Sequence, residues 1–436
     1  MDDIPNVLPS PAVAMSSSTS QFIEHYFRAL AEHGVPAVII HGYEHLPEQW
    51  DSDIDYVVPR EALKKVPAIC AEVAKKNGWI AAPPVSANLH AICQVVFRLD
   101  HPEEFLQLDA CSDYVHSRCF IASAEELMAG AKERGLFRTS APAVEFAYHL
   151  GKNFAKRRPI ARVMPRLREL AAQDVVGCEA AFHRLLGAEK GPLSEWLPRD
   201  DEEWKKLAPI LRRRRRFGTW LLLQESLRLL RRWWSPSGLR LVVLGPDGAG
   251  KSTLIAALSR LLGPCFRAVD YIHSRPGLLD SKPDGGVVSE PHAKIPRSWP
   301  ACVAKIFYYA LDHWLGWLVR VRPATVRNRL VIFDRDFYDV IVDPMRYRLR
   351  GVGALARVLV RLLPQADFTL VLDAPPEIIH ARKPELPVAE LARQRAVLRL
   401  LSAGRESWHL LDASQNSEAV AHEAILTVLK HINFQP

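Results

Sequence analysis

The sequence predicts an α/β protein built from two domains, and three observations support that fold class. From residue 239 to the end, short runs of branched apolar residues alternate with helical patterns, which is typical of a parallel sheet covered by helices on both faces. Residues 21–200 mix strand and helical patterns, and they end in a mainly helical stretch. The length of 436 residues, of which 48% are hydrophobic, is enough to form two cores.

The charge of the chain is distributed unevenly. The formal net charge is +8, yet residues 1–200 carry 21 Lys and Arg against 26 Asp and Glu, whereas residues 201–436 carry 36 against 23. A basic C-terminal half suits small anionic partners or an anionic membrane surface. The seven cysteines form no C-x-x-C pair and the N-terminus lacks a secretory signal, so we expect a cytoplasmic protein, with attachment to the inner membrane face as an option.

The first half is predicted to contain a flexible tail, a mixed α/β domain and a helical subdomain. Residues 1–20 are rich in Pro and Ser and form the tail. The domain spans 21–200, and its helical part runs from about 141 to 197. The predicted strands are 37–40, 54–58, 92–99 and 105–110, and the predicted helices are 21–33, 60–77 and 123–134.

Residues 201–238 are predicted to form a basic helical connector. The five arginines Arg212–Arg216 precede an amphipathic run that ends at Trp234. This run fits a helix lying on an anionic membrane, but a solvated charge run whose tryptophans pack between the domains is the favoured interpretation. No nucleic-acid reading module accompanies the arginines, which argues against a nucleic-acid partner.

The C-terminal domain, residues 239–436, is predicted to contain five strands with helices between them. A long aromatic helix is predicted at 299–321, and its apolar stripe favours core packing, with contact to a lipid-linked or saccharide substrate as the alternative. The predicted strands are 241–244, 268–272, 330–333, 368–372 and 408–411.

The most specific motif of the chain follows strand 241–244. The run Gly245–Thr253 reads G-P-D-G-A-G-K-S-T and matches G-x-x-x-x-G-K-[ST]. Backbone N–H groups of such a loop surround the phosphates of a nucleotide, Lys251 reaches the β and γ oxygens, and the Ser252 hydroxyl binds Mg²⁺. The motif predicts ATP and Mg²⁺, with a glycine-rich turn that binds nothing as the alternative. The predicted nucleotide-binding residues are Gly245, Gly248, Ala249, Gly250, Lys251, Ser252 and Thr253.

A second candidate site lies at the end of strand 330–333, where Asp334 precedes Arg335. Ligands of α/β proteins bind at the carboxyl ends of such strands. An aspartate there holds Mg²⁺ or accepts a proton from the acceptor, and an arginine grips a phosphate with its two-pronged guanidinium. We therefore predict Lys251, Asp334 and Arg335 as catalytic residues, with a strand-end salt bridge as the alternative for the last two.

Together these residues resemble the thymidylate kinase-like branch of the P-loop nucleoside monophosphate kinases, over about residues 239–436. The resemblance rests on the phosphate loop with its internal Asp247, on Asp334-Arg335, and on L-D-A-P-P-E followed by Arg382-Lys383. It implies that Asp247 contacts the sugar of the acceptor and that Asp334 and Arg335 handle the metal or proton and the acceptor phosphate. It also implies that lid residues close over ATP, namely Arg382 and, as weaker candidates, Arg393 and Arg395.

The sequence departs from that family in the region that would bind the acceptor. Where the relatives carry a run like R-E-P-G-G-T, this chain has His273-Ser-Arg275-Pro-Gly277, followed by an insertion at 277–300. Arg275 is the acceptor-binding candidate beside Asp247 and Arg335. The predicted function is phosphoryl transfer from ATP to a small-molecule acceptor, either a nucleoside monophosphate or a sugar or polysaccharide precursor. The alternative is a nucleotide-binding sensor or scaffold in envelope polysaccharide assembly, and the oligomeric state is not indicated.

The N-terminal domain contains a second motif with acidic residues. Asp53 and Asp55 face the same side of a strand because side chains alternate, and Asp109 lies on another strand. Three carboxylates in one place can bind Mg²⁺ and align an oxygen nucleophile with an α-phosphate. An acidic turn, Asp51–Asp55, that merely enters a strand is the alternative.

The acidic pattern resembles the nucleotidyltransferase superfamily, over roughly residues 21–200. The superfamily has a strand, a turn of small residues and then D-h-D, where h is apolar. In this chain Tyr43 replaces the second small residue and is expected to crowd a triphosphate. An active transferase and a regulatory or substrate-holding module both remain open.

Overall fold

Two units, residues 1–227 and 228–436, make up the chain. The boundary between the units falls within residues 201–238, which were predicted to form a connector. The computed structural model describes residues 17–48, 53–116, 119–214, 219–277 and 297–433. Parts of four predicted features lie outside the described residues, namely 1–16 of the tail, 51–52 of the acidic turn, 215–216 of the arginine run and 278–296 of the insertion.

The first unit is built on an eight-stranded mixed sheet, with a separate two-stranded sheet and a group of helices. Its strands are β1 Val38–Ile39, β2 Asp53–Val57, β3 Trp79–Ala81, β4 Val85–Asn88, β5 Ala91–Arg98, β6 Phe105–Cys111, β7 Tyr114–His116, β8 Cys119–Ala122, β9 Lys132–Arg134 and β10 Phe137–Thr139. Its helices are α1 Ser17–Glu32, α2 Val66–Lys76, α3 Ala124–Met128, α4 Pro142–Lys156, α5 Met164–Gln173, α6 Val175–Leu186, α7 Leu193–Trp196, α8 Asp201–Lys205 and α9 Ala208–Arg214, and α10 Thr219–Trp234 contains the boundary between the units.

The centre of the eight-stranded sheet positions the acidic residues. The strand order is β3-β5-β6-β2-β1-β10-β9, and the eighth strand, β4, pairs with β5 outside this order. Strand β2 runs parallel to β6, with Asp55 opposite Asp109. Along β6 buried and partly exposed residues alternate, so that Leu106 and Leu108 pack into the core below α1 and α2. The carboxylates of β2 and β6 consequently lie on the other face of the sheet.

Two predicted element boundaries of this unit are wrong. Helix α1 begins at Ser17, so the last four residues of the predicted tail are helical. The helix predicted at 123–134 ends at Met128, and 132–134 form β9 instead. Gly130 and Gly135 adopt positive φ values of 64° and 60°, which break the helix and turn β9 back onto β10.

The helical subdomain has its own core, which extends into the first part of the predicted connector. Trp204 of α8 is fully buried, and its ring contacts the rings of Phe154, Phe182 and Trp196 at centroid distances of 6.2, 6.2 and 5.6 Å. Residues 204–211 therefore belong to the first unit. Trp234, at the end of α10, exposes 75% of its surface.

The second unit contains a five-stranded sheet that is parallel throughout, as predicted. The strands are β11 Leu239–Leu244, β12 Ala268–His273, β13 Arg329–Asp334, β14 Phe368–Asp373 and β15 Trp408–Asp412. The helices are α11 Lys251–Leu262, α12 Trp299–Gly316, α13 Arg322–Val326, α14 Asp339–Val342, α15 Gly353–Leu362, α16 Pro376–Arg382, α17 Val388–Ser402 and α18 Ser417–Asn433, and a π-helical turn, Trp317–Val321, continues α12.

The strand order β12-β13-β11-β14-β15 puts the phosphate loop at the centre of the sheet. The loop follows β11, which lies between β13 and β14. All five strands end at the same edge because they are parallel, and His273 of β12 pairs with Asp334 of β13 there. The residues after each strand therefore surround the loop.

The aromatic helix α12 buries one face only, which corrects the expectation of plain core packing. Cys302, Ile306 and Ala310 lie in the core of the unit. A stripe of apolar residues on α12 and its π-helical extension is instead 45–52% exposed, formed by Phe307, Leu311, Trp314 and Leu318. Among the helices that the structure describes, none is long and apolar enough to cross a membrane.

Replacing Trp204 by Ala is expected to lower the free energy of unfolding of the first unit by about 3–5 kcal/mol, because the large buried ring leaves a cavity among aromatic neighbours. Trp234→Ala is the control, since an exposed ring contributes within about 0.5 kcal/mol. Urea denaturation followed by circular dichroism measures both changes. Equal losses in the two variants would contradict the core described above.

Candidate functional site

The phosphate loop connects β11 to the first turn of α11, and two of its glycines are required by geometry. Gly248 and Gly250 have φ values of 90° and 97°, a region that favours glycine. A Cβ atom on Gly248 would lie 2.9 Å from the Cβ of Lys383 and 3.1 Å from the carbonyl oxygen of Ile379. The loop thus passes closely under α16 and opens at the N-terminus of α11, where backbone N–H groups favour an anion.

Lys251 is buried at the start of α11, and its ammonium group points back to the loop. Its Nζ atom donates hydrogen bonds to the carbonyl oxygens of Gly245 at 2.8 Å and Pro246 at 2.9 Å, and it lies 3.3 Å from Oδ1 of Asp247. Burial, together with the nearby guanidinium of Arg335, lowers the pKa of Lys251. In loops of this sequence the lysine reaches the β and γ phosphates of a bound nucleotide.

Asp247, inside the loop, is the meeting point of three cations. Besides Lys251 it binds Arg335 through Oδ1 and Arg346 through Oδ2, the latter at 2.5 Å. Burial raises the pKa of Asp247, but Lys251, Arg335 and Arg346 outweigh burial and hold the pKa below its usual range. Both carboxylate oxygens of Asp247 contact these cations, so a sugar hydroxyl of the kind implied by the resemblance would share the carboxylate with them.

Asp334 ends β13 beside the loop. Its Oδ2 atom lies 3.1 Å from the Tyr271 hydroxyl and 3.2 Å from Nδ1 of His273, whereas Oδ1 is buried and has no hydrogen-bond partner among the described residues. Burial raises its pKa, and His273 and Lys251 lower it to a net value below the usual range. An ionised, unsatisfied carboxylate oxygen suits Mg²⁺, and the exposed Ser252 at the first turn of α11 offers a hydroxyl on the same loop.

Asp339 and Arg346 belong to this centre, although the sequence did not single them out. Asp339 is 5% exposed, its Oδ2 has no hydrogen-bond partner among the described residues, and burial raises its pKa to about 6. Arg335, Lys251 and Asp247 all act on it electrostatically. The sequence pattern that could have indicated Asp339 is the series of aspartates at the end of β13 and just after it, namely Asp334, Asp336 and Asp339.

A cavity of about 230 Å³ extends from the loop and gathers most of the predicted nucleotide-binding residues. Arg382 forms part of its wall and donates a hydrogen bond from Nη1 to the carbonyl oxygen of Ala413 at 2.9 Å. The cavity is lined by Gly248, Ala249, Gly250, Thr253, Leu372, Arg382, Ala413 and Gln415. Its position between α11 and the ends of β14 and β15 suits the nucleoside part of a bound nucleotide.

The remaining predicted residues of the second unit have other partners. Arg395 lies 2.6 Å from Asp373, and Arg393 lies 2.6 Å from Glu390. Arg275 follows β12, and its guanidinium is 4.7 Å from the ring centroid of Tyr309. The two lid candidates are therefore held by carboxylates, and Arg275 contacts α12.

In the first unit, Asp53, Asp55 and Asp109 lie together. One ligand oxygen from each lies within 4.8 Å of the others. Burial and the neighbouring Asp55 raise the pKa of Asp109 to about 6. Crowded carboxylates of this kind are stabilised by a divalent cation, so the donor set fits Mg²⁺.

Asp55 also binds basic side chains. Its Oδ2 atom is 2.8 Å from Nε2 of His41 and 2.8 Å from Nζ of Lys152 on α4. Burial raises the pKa of Asp55, but His41 and Lys152 together bring the pKa below its usual range. Lys152 thus places a positive charge next to the acidic cluster, where a phosphate would need one.

Tyr43, which was expected to crowd a triphosphate, is held by contacts with one glutamate and two arginines. Its hydroxyl donates to Oε2 of Glu145 at 2.6 Å, and Arg134 and Arg166 lie 5.5 and 5.8 Å from its ring centroid. Tyr43, Arg134 and Arg166 line a cavity of about 430 Å³. Tyr43 is therefore part of the wall of a pocket whose lining contains both basic and acidic side chains.

Comparison with known proteins supports the assignment of a P-loop nucleotide-binding site in this chain. No protein-family model matches the chain. The chain is 31% identical over 166 residues to the hemin import ATP-binding protein HmuV of Streptomyces coelicolor, a match that covers 36% of this chain and 55% of the relative. The chain thus spans about half the length of this curated relative. Together with the loop geometry, the similarity supports a P-loop NTPase domain in a chain that also contains another α/β domain.

Proposed function

We propose that the second unit is an ATP-dependent phosphotransferase of the thymidylate kinase-like type. The observation that carries this proposal is the binding of Asp247, inside the phosphate loop, to Arg335 and Arg346. A loop that only holds a nucleotide needs its backbone donors and Lys251. Arginines from a second segment add positive charge where a transferred phosphoryl group meets its acceptor. The ATP-binding relative supports the choice of nucleotide.

The side chains of the site have separate roles in the transfer step. An acceptor oxygen forms a bond to the γ-phosphorus while the bond from that phosphorus to the β–γ bridging oxygen breaks, which leaves ADP. Lys251, Arg335 and Arg346 orient the phosphoryl oxygens and balance their charge. Mg²⁺ held by Ser252 and Asp334 would neutralise phosphate charge. When the acceptor is a hydroxyl, its proton passes to Asp339, the buried carboxylate with a pKa of about 6.

Lys251→Ala is expected to lower acceptor-dependent ADP formation at least about a hundredfold, because it removes the cation that faces the transferred group. A panel of nucleoside monophosphates, sugars and sugar phosphates, followed by ADP release, identifies the acceptor and measures the rate. Arg260→Gln, an exposed cation on the same helix α11, is the matched control and should leave the rate unchanged. ATP binding without acceptor-dependent ADP in the wild-type protein would instead support a sensor or scaffold.

Asp339→Asn is expected to lower kcat with a hydroxyl acceptor and to change the pH profile. In the wild-type protein the rate should fall as the pH drops through about 6, because protonated Asp339 cannot accept a proton. The variant should lack this acidic limb, while its affinity for ATP, measured by calorimetry, stays close to that of the wild type. An unchanged profile in the variant would assign the proton to another group.

We propose nucleotidyl transfer as a second activity, located in the first unit. The convergence of Asp53, Asp55 and Asp109 next to Lys152 favours it. Such a site needs carboxylates for Mg²⁺ and a cation for the leaving pyrophosphate.

The double change Asp53→Asn and Asp55→Asn is expected to abolish pyrophosphate release from nucleoside triphosphates and to weaken Mn²⁺ binding, because two carboxylate ligands are lost. Electron paramagnetic resonance of Mn²⁺ and a coupled pyrophosphate assay measure these effects. Asp100→Asn, which changes an exposed carboxylate of the same unit, is the control. Transferase activity that survives the double change would refute the role of the carboxylates.

A further inference from the structure

The outer face of α12 and of its π-helical continuation is apolar. Every exposed residue between 299 and 319 is apolar, and the larger ones are Trp299, Phe307, Leu311, Trp314, Leu318 and Val319. Asp312 and His313 of the same helix are buried, at 0% and 6% exposure. A helix that faces water shows the opposite arrangement, with polar residues outside and apolar residues inside. The side chains of α12 therefore fit an apolar environment on its outer side.

Helix α15 widens this apolar surface. The indole N–H of Trp314 donates a hydrogen bond to the carbonyl oxygen of Leu362 at 3.2 Å, so the two helices adjoin at this point. Leu362 and Val358, one turn earlier on α15, are both more than half exposed, at 64% and 54%. We call the combined surface the α12–α15 face, and it consists of Phe307, Leu311, Trp314, Leu318, Val358 and Leu362. Adjoining exposed apolar side chains from two helices indicate an interaction surface, whereas a single exposed leucine does not.

The segment that forms the α12–α15 face exposes positive charge only. Residues 297–362, all of which the structure describes, contain no glutamate, and their five aspartates are at most 6% exposed. Exposed arginines lie next to residues of the apolar surface in the chain, namely Arg320 after Val319, Arg357 before Val358 and Arg361 before Leu362. The apolar surface is therefore accompanied by cations and by no exposed carboxylate of the same segment.

A second copy of the chain is a poor match for this face. In a two-fold contact the same residues of both copies meet. The arginines beside the face would then approach their own counterparts, and residues 297–362 expose no carboxylate that could pair with them.

An anionic lipid surface matches the face in both apolar character and charge. Lipid acyl chains surround apolar side chains without requiring hydrogen bonds from them. Among the side chains of the face only Trp314 has a hydrogen-bonding group, and its indole N–H is already donated to Leu362. Tryptophan is enriched where a membrane meets water, and arginines near a membrane surface attract anionic headgroups.

We propose that the α12–α15 face binds the surface of an anionic lipid bilayer. The apolar side chains enter the boundary between headgroups and acyl chains, and Arg320, Arg357 and Arg361 contact the anionic headgroups. This contact does not depend on the proposed phosphotransferase activity. It also uses other residues than the connector, 201–238, whose amphipathic run suggested a membrane contact from the sequence.

Co-sedimentation of the full-length protein with lipid vesicles tests the apolar part of the face. The vesicles consist of phosphatidylcholine mixed with phosphatidylserine, or of phosphatidylcholine alone. The double change Leu311→Gln and Leu318→Gln should lower partitioning onto the mixed vesicles at least about tenfold, because two side chains no longer gain from burial among lipids. Leu400→Gln, which changes a leucine of α17 that is 77% exposed, is the matched control and should leave partitioning unchanged.

The same assay tests the charge beside the face. The double change Arg357→Gln and Arg361→Gln should weaken binding to the mixed vesicles by about fivefold for each arginine removed. Added salt should weaken binding of the wild type more than binding of this variant, because salt screens the lost attraction. Arg260→Gln on α11 is the control for the loss of an exposed arginine.

Three results would overturn the inference. The first is that the wild type binds mixed and neutral vesicles equally, or neither. The second is that binding survives both double changes and is lost with Leu230→Gln on α10, which would assign the contact to the connector. The third is a lipid-free dimer, detected by light scattering, that the leucine changes dissociate. If circular dichroism shows that the leucine variant does not fold, the variant with Arg357→Gln and Arg361→Gln, which changes exposed residues only, decides the question.

Discussion

The second unit depends on one carboxylate, that of Asp247. It lies within the phosphate loop and binds Lys251 from the loop itself and Arg335 and Arg346 from the segment after β13. Positive side chains gathered around a phosphate site would repel one another without a fixed negative charge among them. Asp247 supplies that charge, so the loop and the segment that faces it form a single electrostatic unit.

The parallel sheet explains why these groups meet. Residues separated by almost a hundred positions, such as Asp247 and Arg346, follow neighbouring strands whose carboxyl ends share one edge. The first unit uses the same principle with a mixed sheet, because β2 and β6 are parallel and bring Asp55 opposite Asp109. In both units the candidate acidic residues lie on strands or at strand ends. The candidate lysines lie on helices, Lys251 at the start of α11 and Lys152 on α4.

The sequence predicted the features that depend on local pattern. The five strands of the second unit, the phosphate loop and the shared face of Asp53 and Asp55 follow from spacing alone, because periodicity is set by neighbouring residues. It did not predict the partners of Asp247 or the burial of Asp339, because these depend on distant segments meeting in the folded chain. The helix predicted at 123–134 is wrong because its apolar spacing outweighed the signals of Gly130 and Gly135.

The hydrogen bonds of Lys251 affect which ligands can bind to the phosphate loop. Its ammonium already satisfies three oxygens, the Gly245 and Pro246 carbonyls and Asp247 Oδ1. A ligand competes with these three oxygens for the N–H groups of Lys251. Ligand oxygens that carry more negative charge therefore bind the ammonium more strongly. A free nucleoside has none, whereas a polyphosphate has several. The internal hydrogen bonds of Lys251 therefore favour polyphosphates over uncharged ligands at this loop.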